Sequence, residues 1–347
     1  MNRRGVSYDV GRVLGMNWRP EFDPKVVHRE VEIIKNDLHC NAIRICGQDI
    51  GRLMTAAEDA LQQGLEVWLS PEMWNKDQAR TLAYIAEAAT AAERLRRRWP
   101  DSLVFIVASE ATLFVKGIVP GKTLNKRVAN LFRDVKSGNH IEPLKAFLAQ
   151  ANDAARKNFH GLVTYAALSF EPVDWDLFDV IGVDHYRDAR IKDQYVKMIE
   201  PLLGLGKPVV VTEFGMRSYQ GAESSGSLGF GIADGRSQFL HQLPVVGPLI
   251  RPRLKKGSHI RDEALQAREI TETLTILDAA SVDGAFVCTF VDPIAPFSQD
   301  ARHDLDMSSL SLVKTYEHRH GTTYPEMTWE PKASFSAVAA YYAEQPA

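Results

Sequence analysis

Short apolar runs alternate with longer segments of helical periodicity along the whole chain. Several of the runs are continuously apolar, which is typical of strands buried on both faces of a parallel sheet. The predicted strands are Tyr8–Trp18, Asn41–Gly47, Glu66–Glu72, Leu103–Glu110, Leu162–Leu168, Val180–Tyr186, Pro208–Phe214 and Gly284–Val291. The pattern therefore predicts eight strands.

The segments between these runs carry apolar residues three and four positions apart, which predicts helices that connect parallel strands. The helix that follows the fifth strand is expected to be short or missing. The predicted helices are Pro24–Asn36, Gly51–Gln63, Asp77–Arg98, Glu142–Asn158, Asp193–Leu203, Ile260–Ala279 and Ala333–Ala343.

Eight strand–helix units predict an α/β fold, a closed (β/α)₈ TIM barrel, as a single catalytic domain over residues 1–347. A doubly wound open sheet is the competing architecture. The first strand is not followed by the GxGxxG pattern that a dinucleotide-binding sheet uses, which disfavours it.

Two connections are too long for simple loops: Ala111 to about Ile141, and Met216 to about His259. Long connections in compact domains are often functional. Both follow strands, so both belong to the C-terminal face of a barrel, where active sites lie. We expect the segment 216–259 to act as an active-site lid.

Composition and charge restrict the function further. The chain has 347 residues, 45% of them hydrophobic and 24% charged, with a net charge of −3. This balance predicts neither nucleic acid nor membrane as a partner. The N-terminal residues MNRRGVSYDV include no apolar stretch of the length that a signal peptide needs, so a cytoplasmic location is expected.

The three cysteines lie far apart in apolar stretches, which predicts buried, reduced thiols. The sequence has no CxxC and no HExxH pattern, and the HRH at 318–320 lies in a polar segment. We expect no metal and no cofactor.

In a barrel, the last residues of each strand surround one common mouth. Reading them in order gives a ring of ionisable and aromatic side chains, of the kind found at functional sites. The ring consists of Asn17, Trp18, Arg44, Glu72, Trp74, Ser109, Glu110, Asp184, His185, Tyr186, Glu213, Phe290 and Asp292.

Two glutamates end strongly apolar strands: Glu110 follows LVFIVAS and Glu213 lies in VVVTEFG. Burying a carboxylate is costly unless it is paired, so both positions point to a function, although each glutamate also suits a solvated start of a loop. Strands four and seven lie nearly opposite each other in a barrel, and two facing carboxylates suit cleavage of a glycosidic bond. Glu72 and Asp184 stay open as alternative acids.

Arg44 provides the charge that such a pair needs. A cation beside Glu213 would lower its pKa and keep it ionised as a nucleophile. Partial burial and a neighbouring negative charge would raise the pKa of Glu110 and keep it protonated as an acid.

The other ring members have both a binding and a structural interpretation. Tyr186 is expected to hydrogen-bond Glu213, and His185 to bind a sugar hydroxyl, although both also suit satisfied core polar groups. Trp18, Trp74 and Phe290 offer flat faces on which a sugar ring can stack, or they pack in the interior.

These segments resemble a clan of (β/α)₈ retaining glycoside hydrolases with the acid/base on strand four and the nucleophile on strand seven. NAIRICG is similar to the clan's strand-two pattern and maps to Arg44; VASE maps to Glu110. DVIGVDHY maps to Tyr186 and VVVTEFG to Glu213. WEPKASFSAVAAYY resembles the segment that leads into the last helix.

The resemblance implies a glycosidase, with two departures. The clan usually has an asparagine before the acid/base, where it binds the sugar 2-hydroxyl, and this chain has Ser109. The clan often places a tryptophan on strand eight, and here the candidate is Phe290. The departures suggest an outlying family with a different sugar, or a transferase.

The leading hypothesis is a retaining glycosidase or transglycosidase that acts on a small glycoside, oligosaccharide or glycosylated metabolite, with Glu213 as nucleophile and Glu110 as acid/base. One alternative is a catalytically inactive barrel that binds carbohydrate or a protein partner. Another is a metal-dependent barrel hydrolase with His185, Asp184 and Asp292 as ligands.

Overall fold

A closed barrel of eight parallel strands forms the centre of the molecule in a computed structural model that describes residues 1–226, 231–241, 243–257 and 259–344. The barrel strands are β1 (Arg3–Asp9), β2 (Ala42–Gly47), β3 (Glu66–Pro71), β4 (Leu103–Ser109), β5 (Leu162–Leu168), β6 (Ile181–Asp184), β7 (Val209–Phe214) and β8 (Gly284–Val287). Each strand pairs with its neighbours in chain order and β8 closes on β1. The predicted (β/α)₈ fold is confirmed.

Ten helices in the described residues surround the barrel or lie in its long connections. They are α1 (Pro24–Asn36), α2 (Ile50–Gln62), α3 (Gln78–Arg96), α4 (Ala111–Phe114), α5 (Leu124–Ser137), α6 (Ile141–Arg156), α7 (Tyr195–Leu203), α8 (Gly235–His241), α9 (Glu263–Ala279) and α10 (Ala333–Ala343). Polar caps explain where several begin: Asp23, Asp49 and Asp77 each accept a hydrogen bond from a backbone N–H of the first turn.

The first predicted strand is displaced, because β1 ends at Asp9 whereas the sequence pattern placed it at Tyr8–Trp18. The Asp9 carboxylate accepts hydrogen bonds from the backbone N–H groups of Gly11 and Arg12, at 2.7 and 2.8 Å. This local turn ends the strand. Asn17 and Trp18 therefore lie in the loop that follows β1, not at its tip.

The connections differ in content. The long segment after β4 contains α4 and the amphipathic α5, which the sequence analysis missed. Between β5 and β6 only one 3₁₀ turn, Trp175–Leu177, is present, as expected for a short or missing helix. The predicted lid 216–259 includes α8, and its residues 227–230, 242 and 258 lie outside the described part of the chain.

Alternate residues of each strand point into the barrel, and these inward side chains form two layers along the barrel axis. Its lower layer is apolar and consists of Ala42, Trp68, Val104, Ile106, Ala166, Val180, Val210 and Phe286. Two residues further along, on the same face, β2 presents Arg44 and β3 presents Ser70. An apolar floor therefore supports a polar layer at the C-terminal mouth.

None of the described helices combines the length and the apolar character that a membrane span needs.

Candidate active site

Glu213 enters the mouth through an irregularity in β7. Val183 pairs with Val211 and Asp184 pairs with Glu213, so β7 uses two residues where β6 uses one. The extra residue, Thr212, breaks the alternation, and such bulges redirect side chains near functional sites. Both Thr212 and Glu213 consequently contact interior residues.

Three groups hold the carboxylate of Glu213. Its Oε1 lies 2.9 Å from Arg44 Nη1 and 3.2 Å from Arg12 Nη1, and the Tyr186 hydroxyl donates to Oε2 at 2.9 Å. Burial alone would raise the pKa of Glu213, whose residue is 7% exposed. The two arginines and the tyrosine hydrogen bond outweigh burial and hold its pKa below the usual range.

Arg12 is a member of the site that the sequence analysis missed. Its Nε donates to the Asp9 carboxylate at 2.7 Å, and its guanidinium lies over the rings of Trp18 and Trp74, at 5.1 and 5.4 Å from their centroids. The signal was present as Asp9-x-Gly11, a sequence that favours a turn immediately before Arg12.

Arg44 is the hub of the polar layer and is fully buried. Besides Glu213, its guanidinium contacts Glu72 at 3.2 Å and Asp184 at 3.4 Å, and it donates to the Thr212 carbonyl at 3.0 Å. One planar cation with several donors in a fixed fork suits such a set of acceptors.

Glu72 and Asp184 are both buried beside Arg44. Burial raises the pKa of Glu72 more than Arg12 and Arg44 lower it. Burial likewise raises the pKa of Asp184, to about 7, against the opposing effect of Arg44 and the Thr212 hydroxyl, which donates at 2.6 Å. Neither is as well held in ionised form as Glu213.

Glu110 follows directly after β4 with a left-handed backbone, φ 47° and ψ 51°. β4 also carries a bulge, because Ile106 to Ser109 on β4 spans Thr164 to Ala166 on β5. The side chain is half-buried. Desolvation, followed by the negative charges of Asp184 and Glu213, raises the pKa of Glu110 well above its usual range.

The Ser109 hydroxyl points toward a protein neighbour. Its Oγ donates to Asp184 Oδ2 at 3.1 Å, and the residue is buried. In this arrangement the hydroxyl is bound to Asp184.

Two expected sugar contacts are placed elsewhere. His185 Nε2 lies 2.9 Å from the Tyr195 carbonyl and its ring stacks on Tyr195, so this nitrogen serves the interior. β8 ends at Val287, earlier than predicted, and Phe290 is fully buried against Tyr8 and Trp329. The interpretation of Phe290 as a sugar-stacking floor is therefore wrong.

Cys288, the residue that follows β8, lies beside Tyr186 and Glu213 instead. Its buried thiol lies within hydrogen-bond reach of the Tyr186 hydroxyl. Burial, with the Glu213 charge, raises the pKa of this thiol to about 12, so it stays protonated. All three cysteines are buried and unpaired.

The two tryptophans form one side of the mouth. Trp18 is half-buried and meets Trp74 edge to face, with ring centroids 5.3 Å apart. Trp74 is only 6% exposed and stacks on Phe114 at 4.1 Å. Trp74 is therefore a packing residue in this structure, and Trp18 keeps the more accessible ring.

The metal-ligand set that the sequence suggested does not come together. His185 is held by Tyr195, and Asp292 hydrogen-bonds Ser309 with a pKa that burial raises to about 6. Within the described residues, the one cluster with metal-compatible spacing is Cys46, Glu72 and Glu213. Two guanidinium groups already neutralise its carboxylates, which fits an ion-pair network better than a cation site.

The surroundings of the two glutamates shift their pKa values in opposite directions. The pKa of Glu213 is lowered by its arginine and tyrosine partners, whereas the pKa of Glu110 is raised by burial and by the negative charges of Asp184 and Glu213. Groups whose surroundings separate their pKa values in this way can serve as base or nucleophile and as acid.

Comparison with known proteins supports the fold. No family model and no curated protein matches the sequence. A solved GH113 β-1,4-mannanase is similar with a TM-score of 0.61 and 14% identity over 99% of each chain. The GH113 β-mannanase AaManA from Alicyclobacillus acidocaldarius, in complex with ManMIm, gives 0.59 and 15% over 98% of this chain and 97% of that chain.

A larger protein also contains this barrel. The β-glucuronidase of Parabacteroides merdae matches 100% of this chain with 37% of its own length, at 15% identity and a TM-score of 0.57. At such identities the likeness shows a common (β/α)₈ architecture.

Proposed function

We propose that the protein is a retaining glycoside hydrolase or transglycosidase in which Glu213 is the nucleophile and Glu110 the acid/base. The observation that carries the proposal is the pair of opposite environments. Two arginines and a tyrosine hold Glu213 ionised, while burial and neighbouring carboxylates keep Glu110 protonated. This is the state that the first step of double displacement requires.

In the first step, Glu110 gives its proton to the glycosidic oxygen as the bond from that oxygen to the anomeric carbon breaks. A carboxylate oxygen of Glu213 bonds to the same carbon, which produces a glycosyl-enzyme ester and a free leaving group. The Arg44 and Arg12 contacts fall on Oε1 of Glu213, whereas Oε2 accepts from the Tyr186 hydroxyl, which favours Oε2 as the attacking oxygen.

In the second step, the Glu110 carboxylate removes a proton from water as the water oxygen bonds to the anomeric carbon. The ester bond to Glu213 breaks, and both carboxyl groups return to their starting states. A sugar hydroxyl in place of water completes transglycosylation by the same movements.

The substrate that we propose is a small β-linked glycoside, oligosaccharide or glycosylated metabolite. The similar structures include β-mannanases and a β-glucuronidase, which supports the β-anomer as the first to test. Arg12 and Arg44 are both engaged by carboxylates of the protein, which favours an uncharged sugar over an anionic one.

The experiment that tests this proposal is a rate comparison on aryl β-glycosides of several sugars. Glu110→Ala is expected to lower turnover by about 10²–10⁴-fold, and Glu213→Ala by at least as much. Glu66→Gln is the control, because Glu66 lies at the start of β3, away from the mouth, and this variant is expected to keep the wild-type rate. Wild-type rates in both mouth variants would refute the proposal.

An inactive carbohydrate-binding barrel is a second candidate, favoured by Ser109, whose hydroxyl is occupied by Asp184. Saturable binding of oligosaccharides without turnover of any aryl glycoside would support it. Turnover that depends on Glu213 would exclude it.

A further inference from the structure

Glu110 has a left-handed backbone, and its own side chain does not stabilise the helical turn that follows. A left-handed φ is uncommon for a residue other than glycine. Glu110 is also the residue that precedes the helical turn α4, yet its side chain forms no capping hydrogen bond to that turn. Another group must therefore satisfy the N–H groups that follow Glu110.

That group is the carboxylate of Glu171, which lies on the loop after β5 and is 8% exposed. Glu171 Oε1 accepts from the backbone N–H of Thr112 at 3.0 Å and from the Thr112 hydroxyl at 2.5 Å. Its Oε2 accepts from the Tyr165 hydroxyl at 2.7 Å and from the backbone N–H of Leu168 at 2.8 Å.

Tyr165 links Glu171 to a second backbone N–H group. While its hydroxyl donates to Glu171, the same oxygen accepts from the backbone N–H of Ala111 at 2.7 Å. Both N–H groups that follow Glu110, those of Ala111 and Thr112, are therefore bound through Glu171, one directly and one through Tyr165.

We propose that Glu171 is a positioning residue for Glu110: its carboxylate performs the capping that Glu110 would otherwise perform, which leaves the Glu110 carboxyl group at the barrel mouth. The inference rests on the acid/base role proposed above for Glu110. Glu171 itself does not contact the substrate.

A carboxylate suits this position better than an amide. Four donors converge on its two oxygens. An ionised carboxylate accepts hydrogen bonds through both oxygens, whereas a glutamine would turn an NH₂ group toward one pair of donors. The negative charge of Glu171 also adds to the effects that raise the pKa of Glu110.

The first test is an NMR titration that does not depend on activity. Side-chain carboxyl carbons of ¹³C-labelled glutamate are followed against pH, and the Glu110 signal is assigned by its loss in Glu110→Gln. In Glu171→Gln the midpoint of Glu110 is expected to fall by about 0.5–1 pH unit, because a negative charge is removed. An unchanged midpoint overturns the proposal.

The second test keeps the negative charge of Glu171 and removes the Tyr165 hydroxyl that links Glu171 to the Ala111 N–H. Tyr165→Phe is expected to lower kcat by about 10- to 100-fold with little change in KM, because the acid/base is displaced but binding groups are not. The matched control is Tyr342→Phe, which also removes a buried tyrosine hydroxyl, bonded to the Gly5 carbonyl far from the mouth. Equal kcat values in the two variants overturn the proposal.

The two proposals fail in different ways. A wild-type protein with no glycosidase activity would refute the proposed function, while the titration would still report whether Glu171 acts on Glu110. If the wild type is active but the Glu110 midpoint does not respond to Glu171→Gln, the proposed function is retained and the positioning role of Glu171 is refuted.

Discussion

At the scale of single residues, the site is defined by how each carboxyl group is surrounded. Glu213, Glu72 and Asp184 are all buried near Arg44, yet the pKa is lowered only for Glu213. The difference lies in the number of compensating partners, because Glu213 alone receives two guanidinium groups within 3.2 Å and a tyrosine hydrogen bond.

These shifts predict the shape of the pH profile. The proposed mechanism requires Glu213 ionised and Glu110 protonated, so kcat/KM should fall below the pKa of Glu213 and above the pKa of Glu110. The acidic limb is expected below the ordinary glutamate range and the basic limb well above it. Initial rates across pH on an aryl glycoside measure both limbs, and an acidic limb above the ordinary glutamate range, or a basic limb within that range, would contradict the assignment.

A change at Arg12 tests the acidic limb of this pH profile separately. Arg12→Gln removes one cation from Glu213, so the Glu213 pKa rises and the acidic limb should move to higher pH by about one unit. Arg19→Gln is the matched control, since Arg19 is equally buried over an aromatic ring but pairs with Glu30. If both variants shift the limb equally, Arg12 has no specific role.

Sequence reasoning identified some of these residues and not others, for a physical reason. Arg44 lies within a regular strand, whose alternation determines where its side chain points, and Glu213 was identified because it interrupts a strongly apolar run. Arg12 lies in an irregular loop positioned by the Asp9 turn, and Phe290 lies beyond the early end of β8. Hydrophobic periodicity therefore does not predict where the side chain of Arg12 or Phe290 points.

At the scale of elements, the interruptions of regular structure position the chemistry. β4 and β7 both carry an extra residue just before their glutamates. Hydrophobic runs predicted that the two strands exist, but a register shift depends on pairing across the sheet, which the local pattern does not contain. Helices α1 and α10 were predicted with the observed limits, and for α1 the Asp23 cap and the periodicity are both local signals.

Gly215, the last residue of VVVTEFG, tests the packing that follows the β7 bulge. A Cβ at this position would lie 2.5 Å from the Cys288 carbonyl oxygen, so Gly215→Ala must push β7 and β8 apart. We expect a loss of about 1–3 kcal/mol in the free energy of unfolding, measured by urea denaturation. Gly204→Ala, whose nearest atom is at 3.8 Å, is the control, and equal costs would contradict the argument.

At the scale of the whole molecule, the barrel separates stability from chemistry along its axis. The lower interior is an apolar layer around Trp68, and the ionisable groups lie above it at the C-terminal end. Alternating apolar runs and helices were sufficient to predict this architecture, because eight βα units close in few ways. The pairing of charges at the mouth depends on side chains from distant strands.

This division predicts the effect of emptying the lower layer. Trp68→Ala should reduce the free energy of unfolding by about 3–5 kcal/mol, and Trp68→Phe by less, because the cavity is smaller. Phe132→Ala, on an exposed ring of α5, serves as the control for loss of an aromatic side chain. Urea denaturation provides the comparison, and a small cost at Trp68 would contradict a packed interior.

Covalent trapping of Glu213 tests the proposed double displacement directly. The wild-type protein is incubated with a panel of activated 2-deoxy-2-fluoro-β-glycosides, and its intact mass and digested peptides are analysed. We expect one added glycosyl group, located on Glu213 in the peptide VVVTEFG and absent from Glu213→Gln. A glycosyl group on a different carboxylate, or turnover of these sugars with no adduct on Glu213, would contradict it.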